Sequence, residues 1–122
     1  MNLTILKSKL HRVTVTDISL DYEGSCGIDK VLMKAADIYP YEQIHIYNIT
    51  NGNRFTTYAI SSNIDGEISI RGGAARLALP NDIIVICTYC QLPEHFLFNN
   101  DNQYLPKTIY VNEKNKILKS SK

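Results

Sequence analysis

The chain has no tryptophan and only three phenylalanines, so its aromatic content rests on eight tyrosines. It has no apolar run approaching the roughly 20 residues of a membrane-crossing helix. Its opening stretch, MNLTILKSKLHR, scatters lysines among apolar residues, with no basic start ahead of an apolar block, and does not read as a signal peptide. Excess charge is also missing, since thirteen Lys and Arg against twelve Asp and Glu leave +1. That removes the electrostatic case for nucleic acid or an anionic membrane as a partner. Cysteine is scarce, at three residues. Cys87 and Cys90 have C-x-x-C spacing, but a zinc site wants a second pair and a redox site a helix N-terminus. They sit instead in an apolar β run and read as structural. Cysteines without export signals point to a reducing cytoplasm.

Internal repeats and linkers are absent too. The 122 residues make a single domain, 1–122, able to bury about two-thirds of its unfolded surface without a disulfide. What is present is a period of two. Leu3, Ile5, Val13, Val15, Ile18 and Leu20 alternate with polar residues, and Gln43 to Ile49 alternates cleanly. Asn51-Gly52 then signals a tight hairpin with positive φ at both central positions, and Phe55 to Ile60 is its return strand. Asn63 to Gly66 is a second turn and Glu67 to Ile70 a short strand. Ile83 to Leu92 is the longest apolar run and predicts a buried central strand. Helical signal is sparse: Asp29 can cap a helix through Met33 to Ala36, and Ala74 to Leu79 can form a turn or two before Pro80. Asn99 to Gln103 reads as a surface loop, and the polar residues from Asn112 to Lys122 are expected to fray. Many short strands with few helices indicate a small mainly-β barrel or sandwich.

Most candidate chemistry has a bland reading. His45 and His95 read as surface or satisfied polar residues, and most tyrosines as half-buried strand residues. The stretch Tyr22-Glu23-Gly24-Ser25-Cys26-Gly27-Ile28-Asp29 is less easily dismissed. It lacks the spacing of a G-x-S-x-G nucleophile elbow, and by composition alone a tight turn is the simplest account. Gly24-Ser25 has one further property. A serine hydroxyl stands next to the carbonyl carbon of the preceding residue, and glycine there leaves that carbonyl open. Attack would convert the amide to an ester, elimination would cut the chain, and the resulting dehydroalanine would hydrolyse to a pyruvoyl group. Two other readings stay open on the residues alone: a binding module in which this stretch is only a turn, and a serine hydrolase using Ser25 with His11.

Several separated motifs occur in order between Leu6 and Leu92. They are Lys9-Leu10-His11-Arg12, Tyr22-Glu23-Gly24-Ser25-Cys26, Ile28-Asp29, Asn51-Gly52-Asn53-Arg54-Phe55, Thr57-Tyr58-Ala59-Ile60, Gly73-Ala74-Ala75-Arg76 and Asp82-Ile83. Together they closely resemble the bacterial aspartate 1-decarboxylases, pyruvoyl enzymes that make β-alanine for pantothenate. The resemblance implies a double-psi β-barrel, a homotetramer with active sites between subunits, and autocatalytic cleavage at Gly24–Ser25 into chains 1–24 and 25–122. The cofactor is then a covalent pyruvoyl group derived from Ser25, with no metal required. L-Aspartate would condense with it as a Schiff base, Tyr58 would return the proton, and Thr57 would serve both the scissile region and the substrate. Lys9 and Arg54 would hold the side-chain carboxylate, Gly73, Ala74 and Ala75 would offer backbone N–H groups, and His11 and Tyr22 are possible supporting residues. There is one departure. Where the family usually has Asn before Gly-Ala-Ala, this chain has Gly72; that Asn helps hold the processing region, so its loss bears on the rate or control of cleavage.

Overall fold

The alternation at the start of the chain becomes one long strand. In the computed structural model, which describes residues 1–97 and 103–121, β1 spans Asn2–Thr14. It is followed by β2 (Asp17–Ser19), β3 (Ser25–Asp29), helix α1 (Lys30–Ala35), β4 (Gln43–Asn48), β5 (Arg54–Ser62) and β6 (Ile68–Arg71). Then come β7 (Ile83–Pro93), β8 (Lys107–Val111) and β9 (Ile117–Ser121). The strands make one sheet ordered β2-β6-β3-β5-β4-β7-β1-β8-β9. This is the expected mainly-β architecture with little helix. Among the described residues, no helix is long and apolar enough to cross a membrane.

The connection from β1 to β2 forces the sheet to curl. These strands are six places apart in the sheet order, about 29 Å if the sheet were flat. Only Val15 and Thr16 join them, a reach of roughly 11 Å from Thr14 to Asp17. Hydrogen bonds record the crossing. Val15 N–H donates to the Asp82 carbonyl at 2.9 Å, just before β7, and Thr16 N–H donates to the Ile68 carbonyl at 2.8 Å, at the start of β6. Bulges in β1 at Leu6/Ser8 and Leu10/Val13 help it bend, and Arg12 within the second has a φ of 60°. The inner face is aliphatic: Leu10, Ile28, Ile44, Ile46, Ile70 and Ile86 are all fully buried.

α1 starts as expected, with the Asp29 carboxylate accepting from Val31 N–H at 2.8 Å. Its other oxygen accepts from Gly66 N–H at 2.8 Å, tying the helix to the β5–β6 turn. Three local expectations are corrected. The β4–β5 connection is wider than a two-residue turn: Gly52 has a φ of 82°, but Asn51 is not left-handed. The cause is buried Asn48, whose side-chain oxygen accepts from the N–H groups of Thr50 and Asn51 at 3.0 and 3.3 Å. The turn expected at Ala74–Leu79 is instead a 3₁₀ segment over Gly72–Arg76. The tail expected to fray forms β9, paired antiparallel to β8. The loop expected at Asn99–Gln103 lies, apart from Gln103, outside the described residues, as does Lys122.

Asn115 holds that tail down. It is buried, with a φ of 61°. Its carboxamide accepts from Thr14 N–H at 2.8 Å and donates to the carbonyls of Thr14 and Gly66, each at 2.8 Å. Asn115→Ala leaves these backbone groups without partners, so we expect a loss of about 2–4 kcal/mol. Urea unfolding should show a lower midpoint with an unchanged slope.

Candidate active site

Ser25 opens β3, and pairing on both sides sets its neighbours. On β6 its direct antiparallel partner is Arg71. On β5 the parallel register puts Cys26 beside Ala59, so Ser25 lies beside Tyr58. Ser25 is 4% exposed, whereas Gly24 lies in the exposed segment Leu20–Gly24, outside every strand and helix. A Cβ on Gly24 would meet nothing within 4 Å. Among the described residues, the Ser25 hydroxyl donates only to the Glu23 carbonyl, at 3.5 Å, a contact too long to hold it firmly. An uncommitted hydroxyl next to an open glycine carbonyl fits a pyruvoyl group made at this serine.

The next residue carries a thiol that the fold holds in its neutral form. Strand alternation turns Cys26 into the core, where it is fully buried. Burial pushes its thiol up to about 12, opposed by the Arg71 guanidinium and reinforced by Glu67. Thiolate is the reactive form, and that shift withholds it.

Tyr58 is half-buried on β5, opposite Gln43. Its ring lies 6.3 Å from that of Tyr41, tilted by 33°. Thr57, Tyr58, Tyr41 and Gln43 line an open depression of about 490 Å³. Gly73, Ala74 and Ala75 lie in the 3₁₀ segment directly after Arg71 and Gly72, with Gly73 exposed and Ala75 buried. Tyr22 is exposed, its ring 5.5 Å from the Arg71 guanidinium.

The remaining predicted residues are not gathered here within one chain. Arg54 begins β5, four residues before Tyr58 and so about 13 Å along the strand. Its guanidinium lies 4.8 Å from the Tyr47 ring centroid, and the Tyr47 hydroxyl hydrogen-bonds the Tyr89 hydroxyl at 2.7 Å. Lys9 and His11 lie on β1, which packs against β7 and β8 and makes no substantial contact with β3. Neither Lys9 nor Arg54 has a carboxylate partner among the described residues. His11 sits edge-on to Tyr110 at 5.4 Å. Burial, then Lys9 and Arg12, lower its pKa. Another cavity, of about 440 Å³, is walled by residues including Glu42, His45, Tyr47 and Tyr89 and does not reach Ser25. Among the described residues, no group of three or more His, Cys, Asp or Glu is arranged to hold a metal.

Sequence reasoning missed Arg71, Tyr41 and Tyr47. For Arg71 no local signal exists, because only the β3–β6 register sets it against Ser25.

Fold and site together define a small single-sheet β protein built around a serine hydroxyl at the mouth of a strand. The chain belongs to the aspartate decarboxylase family, whose model matches residues 1–118. It is 52% identical over 118 residues to the aspartate 1-decarboxylase of Methylobacillus flagellatus, covering 96% of this chain and 90% of that one. It is also 52% identical over 116 residues to that of Nitrosococcus oceani, covering 94% and 89%. With the aspartate 1-decarboxylase of Caulobacter vibrioides the identity is 48% over 122 residues, covering 99% and 100%.

Thiol labelling checks the Ser25/Cys26 contrast. At pH 8, a thiol with a pKa of about 12 is ionised in only about one molecule in 10⁴. Iodoacetamide on the folded protein should therefore spare Cys26, read by peptide mass, and should modify it once the chain is unfolded in denaturant.

Proposed function

We propose that this chain removes the α-carboxylate of L-aspartate, giving β-alanine and CO₂, with a pyruvoyl group that it makes from Ser25 by cutting itself after Gly24. Family membership supports the activity. The observation that carries the self-cleavage is the loosely held Ser25 hydroxyl following an open glycine. The hydroxyl oxygen attacks the Gly24 carbonyl carbon; the C–O bond forms as the C–N bond breaks, and the proton ends on the freed Ser25 amine. Loss of the Ser25 Cα proton then expels the Gly24 carboxylate from Cβ and leaves dehydroalanine. Water replaces its nitrogen, releasing ammonia and leaving chains 1–24 and 25–122. Thr57, near this end of β5, assists at the scissile peptide and at the substrate.

When formed, the pyruvoyl group supplies a carbonyl that takes up the substrate amine and an electron sink for the carboxylate's bonding pair. The chain's own residues do the rest. Tyr58, beside Ser25, delivers the proton to the former α-carbon. A cation paired with the departing carboxylate would stabilise the ground state more than the transition state, where that charge disperses. Lys9 and Arg54 therefore bind the side-chain carboxylate, Arg54 through a planar grip that Tyr47 already orients. Backbone N–H groups of Gly73, Ala74 and Ala75 contact the substrate, with Tyr22 and His11 in support. Because Lys9 and Arg54 lie away from Ser25 in the same chain, a complete site takes them from a neighbouring subunit, which supports a homotetramer with shared sites. A hydrolase reading has less support, since β1 does not bring His11 to Ser25. Three free thiols fit a cytoplasmic enzyme.

Intact-mass measurement tests the self-cleavage. Wild-type protein should give two fragments, and Ser25→Ala one folded, inactive chain. Fragments from that variant would sink the proposal. Mixing tests the shared site. Ser25→Ala and Arg54→Ala subunits, each inactive or nearly so, should regain activity when co-assembled, with about a quarter of sites intact by random assortment around a closed ring. No recovery from proven mixed assemblies would assign Arg54 to its own subunit's site.

For the proton donor, Tyr58→Phe keeps the ring volume and removes the phenol. Fully matured protein should bind aspartate normally while kcat falls by about 10²- to 10⁴-fold. A wild-type rate would exclude Tyr58.

A further inference from the structure

Tyr89 reaches Arg54 through one intermediate ring. Arg54 and Tyr47 are direct antiparallel partners on β5 and β4, and the guanidinium lies 4.8 Å from the Tyr47 ring centroid. On the other edge of β4, Tyr47 pairs with Val85 of β7, and His45 with Cys87. Tyr89 therefore stands four residues beyond Tyr47's own partner, about 13 Å along the strand. The two side chains close that gap to a hydroxyl–hydroxyl distance of 2.7 Å. His45 lies between them in the register and meets the Tyr89 ring edge-on, at 5.0 Å and 84°. Lys9 shares this face, since it pairs directly with Cys87. Packing alone does not fix the Tyr47 ring. It borders two open spaces, one of about 440 Å³ shared with His45 and Tyr89 and one of about 220 Å³ shared with Asn53 and Arg54. Among the described residues, Tyr89 is the one hydrogen-bond partner of the Tyr47 hydroxyl. Tyr89 is itself half-buried, and burial, then the bond to Tyr47, push its phenol's pKa up and keep it a neutral hydroxyl.

We infer that Tyr89 is a positioning residue for aspartate: its hydroxyl holds the Tyr47 ring, and that ring holds the Arg54 guanidinium ready for the substrate's side-chain carboxylate. The inference rests on the role proposed above for Arg54 and adds what fixes that side chain before substrate arrives. Arg54 is exposed and has no carboxylate partner among the described residues. Without a held ring beneath it, the guanidinium would sample many rotamers, and binding would have to order it. The cation–ring contact narrows that freedom in advance. The side-chain carboxylate keeps its charge while the α-carboxylate departs. Holding Arg54 therefore helps ground state and transition state alike, and its loss belongs in KM and not in kcat.

Tyr89→Phe keeps the ring against His45 and removes only the hydroxyl. Steady-state kinetics on protein shown by intact mass to be fully cleaved should give a KM for aspartate raised about 2- to 10-fold, the range of one neutral hydrogen bond, with kcat unchanged. Tyr47→Phe cuts the same bond from its other end, and the double variant should lose no more than either single one. Arg54→Ala should lower kcat/KM further, by about 10- to 150-fold, and in that background Tyr89→Phe should add nothing. If Arg54→Ala leaves kcat/KM unchanged, the role proposed for Arg54 fails, and that of Tyr89 with it. If Arg54→Ala lowers kcat/KM while Tyr89→Phe leaves KM unchanged or lowers kcat instead, Tyr89 alone is overturned. Additive losses from Tyr89→Phe with either Tyr47→Phe or Arg54→Ala would also overturn it, because a defect spread through the fold does not vanish when its target is removed.

Discussion

The two-residue passage from β1 to β2 is the constraint on which the rest of this molecule depends. Val15 bonds to the chain just before β7, and Thr16 bonds to the chain at the start of β6. A sheet of nine strands in this order can satisfy both only by curling until its distant members approach each other. Curling gives the aliphatic inner face its enclosure, with Ile28, Ile44, Ile70 and Ile86 drawn from four different strands. Within the sheet β6 pairs with β3, which sets the partner of Ser25.

That placement carries much of the chemistry. β3 is flanked by β5 in parallel and by β6 in antiparallel register, so Ser25 has Tyr58 on one side and Arg71 on the other. Two adjacent polar side chains differ along that strand: the Cys26 thiol lies in the core and is held protonated, while Ser25 sits at the strand's first position, next to the exposed Gly24. A buried polar network supports the same region from behind. Asp29 joins α1 to Gly66, and Asn115 joins Gly66 to the end of β1. These bonds hold the two ends of the curled sheet in register at modest net energy each, about 1 kcal/mol, while leaving any of the groups unpaired would cost more.

The residues predicted for the site are spread over the sheet. Ser25, Tyr58 and the Gly73–Ala75 segment follow from β3, β5 and the end of β6, while Lys9 and Arg54 lie elsewhere on the sheet without carboxylate partners among the described residues. Surface ion pairs are worth only about 0–1 kcal/mol, so leaving these two cations without carboxylate partners costs the fold little.

Local features were legible in the sequence because their physics is local. The strands at Gln43–Asn48 and Ile83–Pro93 follow from alternation and apolar run length, and the Asp29 cap from its carboxylate. Recognition of the family rested on short motifs of the same kind. What escaped it were effects that arise between distant segments. Asn48 widens a turn that its two central residues would have made tight, and Asn115 pins a polar tail that composition alone would leave loose. Arg71 has no local signature, because a side chain's partner across a sheet is set by register. The sequence by itself determined the longer alternating strands, the Asp29 cap and the Gly24–Ser25 pair; only the tertiary structure decided which residues meet around Ser25, since the pairing of β3 with β5 and β6 joins segments far apart in the chain that no single segment encodes.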